Sequence, residues 1–207
     1  MGKRARKAEM EASARERLLD AMLEELAEKG YRGIEVESAR RRAGLERGEW
    51  LAEFADVDAC LFAAYEQLTG RLTAKAAAAC AGEGAWPERV RAGLEALLAE
   101  LACRPGLARV LTRSFPAIGP AAHARYQAFV EGFAPLLEEG RELSGMGAEL
   151  PAEVELLAAG AAEAIVFEEI EAGRVESLPA LGPAILFSVL VPFLGPEAAS
   201  AEMARAA

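Results

Sequence analysis

The chain predicts an all-α fold of about nine helices, and three features of the sequence predict it. Apolar residues recur at intervals of three and four, the spacing that lets one face of a helix be buried. No window sustains the period-two alternation of a half-buried strand. Glycine and proline punctuate the chain at near-regular intervals, at Gly82, Gly84, Pro87, Pro105, Pro116 to Pro120, Gly140, Gly145, Gly147, Pro151, Gly173 and Pro179, leaving windows of helical length between them.

The first helix is predicted from about Glu11 to Lys29, where Leu18, Leu19, Met22, Leu23 and Leu26 form one stripe and Gly30 supplies a left-handed stop. After Tyr31-Arg32-Gly33, the segment Val36 to Ala43 makes two turns before Gly44, and a short helix from about Arg47 to Phe54 follows. Asp56 is an N-cap residue for a longer helix, on which Leu61, Phe62, Tyr65 and Leu68 carry the apolar face onward to about Cys80. Three further stripes follow. The first comprises Val90, Leu94, Leu97, Leu98 and Leu101; the second Tyr126, Phe129, Val130, Phe133, Leu136 and Leu137; the third Val154, Leu157, Ala161, Ile165 and Ile170. The most apolar run, Leu178 to Leu194, contains Pro179, Gly182, Pro183 and Pro192. A lipid-spanning helix needs about 20 apolar residues with every backbone group satisfied, so this run is read as a buried helix and no membrane partner is expected.

With 207 residues, 53% apolar and 27% charged, the chain is long enough and hydrophobic enough to bury a core of its own. Cys60, Cys80 and Cys103 contain no CxxC pair, and His123 is the one histidine. Neither a metal cage nor a disulfide framework is built that way, so the thiols read as reduced residues of a cytoplasmic protein. The basic start is followed by charge rather than by the apolar centre of a secretory signal. No nucleophile elbow, Gly-rich phosphate loop or HExxH occurs, and no catalytic residue or cofactor is assigned. Glu163, Glu168, Glu169 and Glu171 share one helix, but a carboxylate metal bundle needs Glu-x-x-His on facing helices; they read as a solvated acidic face.

Residues 1 to 54 hold 12 basic and 12 acidic side chains, so the whole formal charge of −10 lies beyond them. An acidic body repels nucleic acid, and any DNA contact must therefore come from the front part, where Lys3, Arg4, Arg6, Lys7 and Arg40 to Arg42 cluster. The N-terminal basic run is either an arm reaching DNA or a solvated, frayed end.

Two short helices meeting at Ala43-Gly44-Leu45, with longer helices on either side, form a helix-turn-helix pattern. Gly30-Tyr31, Val36, Ala43-Gly44-Leu45, Gly48, Trp50, Phe54 and Asp56 lie in one ungapped run. On those residues the run resembles the DNA-binding region of the tetracycline-repressor-like (TetR) family of bacterial regulators. The resemblance implies a helix-turn-helix head over residues 10–56 and a ligand-binding, dimerising body over 57–200. It implies that Arg41, Arg42, Glu46, Arg47, Gly48, Glu49 and Trp50 face double-stranded operator DNA. It also implies pairing through the last two long helices. The stretch Pro151 to Gly195 suits such pairing, with small residues from Ala158 to Ala164 and large ones at Leu186, Val189, Leu190 and Phe193; the alternative is that both helices are buried within one chain.

The chain departs from the family pattern in the head. Arg40 stands where the family has a small Ala at the helix crossing, Glu46 and Glu49 replace Ser and Thr, Leu51 replaces a Tyr, and Val57 replaces a Lys. Overpacking at Arg40 would cost about 1 to 3 kcal/mol unless its stem escapes to solvent. In the family the Tyr and Lys positions touch phosphates, which supply most non-specific affinity, although a Glu can accept from a cytosine amino group. Two functions follow. One is a ligand-responsive homodimeric regulator, a repressor at a palindromic operator; the other is a helical dimer with a degenerate head that binds a small molecule or protein without specific DNA binding. In the body, Trp86, Leu97, Leu101, Phe115, Tyr126, Phe129 and Phe133 are candidates to line a cavity for an unidentified small hydrophobic ligand, with His123 and Tyr126 as polar groups, or else are core.

Overall fold

The computed structural model describes residues 3–46, 54–145 and 149–206, and among these there are helices and turns and no strand. Helix α1 (Lys3–Lys29) begins earlier than the apolar stripe requires. The residues before Glu11 are mostly Lys, Arg, Ala and Glu, residues of high helix propensity. Its stripe is as expected: Leu18, Leu19, Met22, Leu23 and Leu26 are fully buried. Helix α2 (Val36–Ala43) ends at Gly44 in the left-handed region, φ 70° and ψ 34°.

Helix α3 (Val57–Cys80) is capped by Asp56, whose carboxylate accepts from the Ala59 N–H at 2.8 Å. It lies along α1 at its start and along α4 (Trp86–Cys103) further on. The α3–α4 crossing is close because Gly93 stands in it; a Cβ there would lie 2.3 Å from Cys80 Sγ and 3.1 Å from the Ala76 carbonyl. Helix α5 (Pro105–Arg109) runs into a π turn, Val110–Ser114, closed by the Phe115 N–H on the Val110 carbonyl at 3.1 Å.

Helix α6 (Pro120–Glu131) is followed by a 3-10 turn at Ala134–Leu137 and by the short α7 (Glu138–Leu143). The stripe from Tyr126 to Leu137, expected of one helix, is thus divided. Pro135 lacks the N–H that an unbroken helix needs, and the chain tightens at that point. Arg141 then ties α7 to α8 (Val154–Glu171), with 2.9 Å contacts to both Glu155 oxygens and a bond to the Pro151 carbonyl at 2.8 Å.

The last helix, α9 (Gly182–Ala206), breaks at Gly195, where φ 77° and ψ 167° are open to glycine alone at low cost, and Pro196 follows. By composition the stretch Val175–Arg205 is long and apolar enough to cross a membrane. In this fold Ile185, Leu186, Leu190 and Phe193 are buried against the rest of the chain, α4 and α8 included, so a core role accounts for that composition. One continuous apolar core runs from the α1–α2 contact to α9.

Candidate functional site

At the front of the molecule, α1 and α2 are locked by charge as well as by packing. Glu25 is fully buried on α1 and accepts from the Ser38 hydroxyl at 2.7 Å, with the Lys29 ammonium at 2.9 Å. Burial by itself raises this carboxyl, but the Ser38 hydroxyl, Lys29 and the Glu35 N–H together hold it below the usual carboxylate range. Arg42 on α2 reaches back to the same helix, meeting Glu24 at 2.9 Å, Glu28 at 2.8 Å and Glu25 at 3.6 Å. It therefore serves as a cross-helix clamp, where the sequence suggested a DNA contact. Arg17 of α1 donates to the Ala43 carbonyl at 3.0 Å, closing the last turn of α2.

Arg40 does not overpack the crossing. Its guanidinium bonds Glu37 at 2.5 and 3.0 Å and donates to the Leu45 carbonyl, so the stem follows the turn, while Ala39 and Ala43 are the buried residues of α2. Among the seven expected DNA-facing residues, Arg41 and Glu46 are exposed, and Arg41 has no ion pair among the described residues. Arg47, Gly48, Glu49 and Trp50 lie outside the described residues, as does Leu51.

The connection to the body runs through α3 and α5. Asp20 of α1 holds Arg71 at 2.8 Å and Gln67 at 3.2 Å on α3, and Tyr31 donates to Asp58 at 2.8 Å. Deeper, Tyr65 of α3 stacks on Phe115, ring centroids 3.8 Å apart and planes 7° from parallel. Its hydroxyl donates to the Leu111 carbonyl in the π turn at 3.0 Å, giving a partner to a carbonyl of that irregular turn. Burial pushes the Tyr65 hydroxyl well above its ordinary range, so it stays a donor at any physiological pH.

Near that stack lies a half-open cavity of about 120 Å³, lined by α3, α4, the π turn, α6, the 3-10 turn after it, α8 and α9. Leu97, Leu101, Tyr126, Phe129 and Phe133 stand on its wall. Trp86 and Phe115 do not. Trp86 packs edge-to-face on Phe193 at 5.3 Å and lines an adjoining pocket that shares Cys80, Val90 and Leu136 with this one, whereas Phe115 is fully buried beneath Tyr65 and Phe62, filling a gap between helices that the stripe pattern alone does not distinguish from a cavity wall. His123 is exposed near the start of α6, away from the wall.

Helix α8 contributes a wall that the sequence reading missed. Ala159, Ala162, Glu163 and Val166 repeat at helical spacing and face the cavity, a signal hidden by reading the segment as small on every side. Glu163 is thereby separated from the acidic face: Glu168 and Glu171 are exposed, Glu169 pairs with Arg174 at 2.6 Å, and Glu163 accepts from the Tyr126 hydroxyl. Burial first, and then this carboxylate, push the Tyr126 hydroxyl far above its ordinary range. The opposite side of α8 is exposed and apolar, with Leu157 63% accessible beside Ala161 and Ala164.

No protein-family model and no curated protein matches the chain. Solved structures do resemble it. The fatty acid degradation regulator FadR from Bacillus halodurans superposes with a TM-score of 0.74 at 20% identity, covering 84% of this chain and 96% of that one. The transcriptional regulator FadR from Bacillus subtilis, solved in complex with stearoyl-CoA, gives a TM-score of 0.68 at 17% identity, covering 86% and 97%. At these identities the likeness is one of fold: the chain has the all-helical architecture of those regulators over nearly their whole length.

Proposed function

We propose that this chain is a ligand-responsive, DNA-binding transcriptional regulator of the TetR-like kind, a repressor acting as an intracellular homodimer on a palindromic operator. Residues 10–56 form its head and residues 57–200 its ligand-binding and dimerising body. The observation that carries the reading is α3, one continuous helix that packs on the head helix α1, where Asp20 holds Gln67 and Arg71, and whose last turns, at Ala76 and Cys80, line the cavity. A ligand that fits the cavity better in one position of α3 shifts the population of head positions. Two heads must stand about 34 to 36 Å apart to meet successive major grooves, so a small change in that position decides binding. The names of the similar structures, one of them bound to stearoyl-CoA, support an alkyl chain as the body's ligand. The apolar wall suits one. The exposed leucines of α8 support the pairing of two chains through α8 and α9.

A second reading has an observation of its own. Arg40 and Arg42 are held by acids of the same chain, so neither is a free cation waiting for phosphate. A helical dimer that binds a ligand without specific DNA binding fits that finding. Selection of random double-stranded DNA by the purified protein, at low and at physiological salt, separates the two. Enrichment of a palindrome, released by a long-chain alkyl compound, is expected; no enrichment at either salt overturns the regulator in favour of the second reading.

A further inference from the structure

The polar atoms of the cavity are few, and their protons are already committed. The Tyr126 hydroxyl donates to Glu163, and the Thr112 hydroxyl donates to the Ala108 carbonyl at 3.2 Å. What these groups still offer is lone pairs: a carboxylate accepts only, and a hydroxyl that has donated can do no more than accept. The remaining polar side chain on the wall is Cys80, whose thiol is a weak donor. No lysine, arginine, histidine or amide side chain lines the cavity among the described residues. Among the described residues of this otherwise apolar wall the one formal charge is therefore negative, and no cationic side chain there answers it.

Resting on the reading of this cavity as the ligand site, we propose that it selects an alkyl-chain ligand whose polar end donates hydrogen bonds, a primary ammonium above all and a hydroxyl next, with Glu163 as the group that receives it. A carboxylate or a thioester carbonyl accepts only. It would enter a site without a strong donor, and a free carboxylate would face Glu163 as a like charge. The alkyl part needs only the apolar wall formed by residues such as Leu97, Leu101, Phe129 and Val166. Tyr126 positions the carboxylate, and its bond to Glu163 is the contact an incoming donor shares.

The test is calorimetric titration of the purified protein with four probes of matched chain length, decylamine, decanol, decanoate and decanoyl-CoA, each kept below its micelle concentration, and the same series on Glu163→Gln and Glu163→Asp. Decylamine is expected to bind the wild type most tightly, about ten- to a hundredfold better than decanoate, the range of a charge-assisted hydrogen bond. Glu163→Gln should remove most of that margin while leaving decanol nearly unchanged, and Glu163→Asp, which keeps the charge, should preserve it. Tighter binding of decanoate or decanoyl-CoA than of decylamine by the wild type overturns the selectivity while leaving the cavity as an alkyl site. An unaltered preference in a folded Glu163→Gln protein overturns the role of Glu163. Binding of none of the four removes the alkyl-ligand reading itself.

Discussion

At Gly93 the absence of a side chain sets the distance between two helices. A methyl group 2.3 Å from Cys80 Sγ and 3.1 Å from the Ala76 carbonyl forces the thiol to turn away and the α3 backbone or α4 to give way by tenths of an ångström. Gly93→Ala is expected to lower stability by about 1 to 3 kcal/mol in urea denaturation, despite the better helix propensity of Ala. A gain in stability would show that the crossing is looser. Glu25 sets a pH dependence. Its carboxyl is held below its ordinary range in the folded protein, so its contribution is complete above the unfolded value, about pH 4.3, and is lost as pH falls through the lower folded one. Melting temperature should therefore fall less steeply for Glu25→Gln than for the wild type between about pH 5 and pH 3; parallel curves would contradict the assignment. These residues also show what a linear reading can hold. Leu18 to Leu26 and Asp56 were legible because burial spacing and capping are local properties. The route of Arg40 was not, because it depends on the Leu45 carbonyl and on the side chain of Glu37 being turned toward it. Glu163 was read with its acidic neighbours because a helix shows which residues share a face, but not what that face meets.

Among the elements, α9 carries the clearest stored constraint. Gly195 has positive φ and no neighbour within 4 Å of where a Cβ would stand, so the cost of a side chain there is a backbone cost. Gly195→Ala is expected to destabilise by about 1 kcal/mol, read as a lowered melting temperature with unchanged helical content. A neutral result would mean that the break is not fixed by this residue. The element boundaries divide in the same way between local and distant causes. Gly44 and Pro120 mark ends that the sequence announces. The π turn at Val110–Ser114 has no such mark, because it is held from outside by Tyr65, 46 residues earlier in the chain. Phe115, whose spacing fits a cavity wall or the core alike, is core for a related reason: an aromatic at the right spacing fills a core gap as readily as it lines a void.

For the molecule as a whole, the exposed face of α8 is the testable surface. Leu157 points away from its own core, and under the proposed pairing it is covered by a second copy. Leu157→Arg should leave circular dichroism and melting of the monomer unit intact while halving the mass seen in sedimentation; a dimer that persists would move the pairing to another face. The internal partners of Arg40 and Arg42 reach further than the head. Each phosphate that a protein neutralises frees condensed counterions, and the logarithm of affinity falls with the logarithm of salt by about 0.9 per phosphate. Arginines already paired with Glu24, Glu28 and Glu37 must exchange those partners before they neutralise a phosphate. Under the proposed operator binding, a phosphate contact by Arg40 or Arg42 first displaces one of these acids, so these two arginines add less to the salt dependence of occupancy than their number implies.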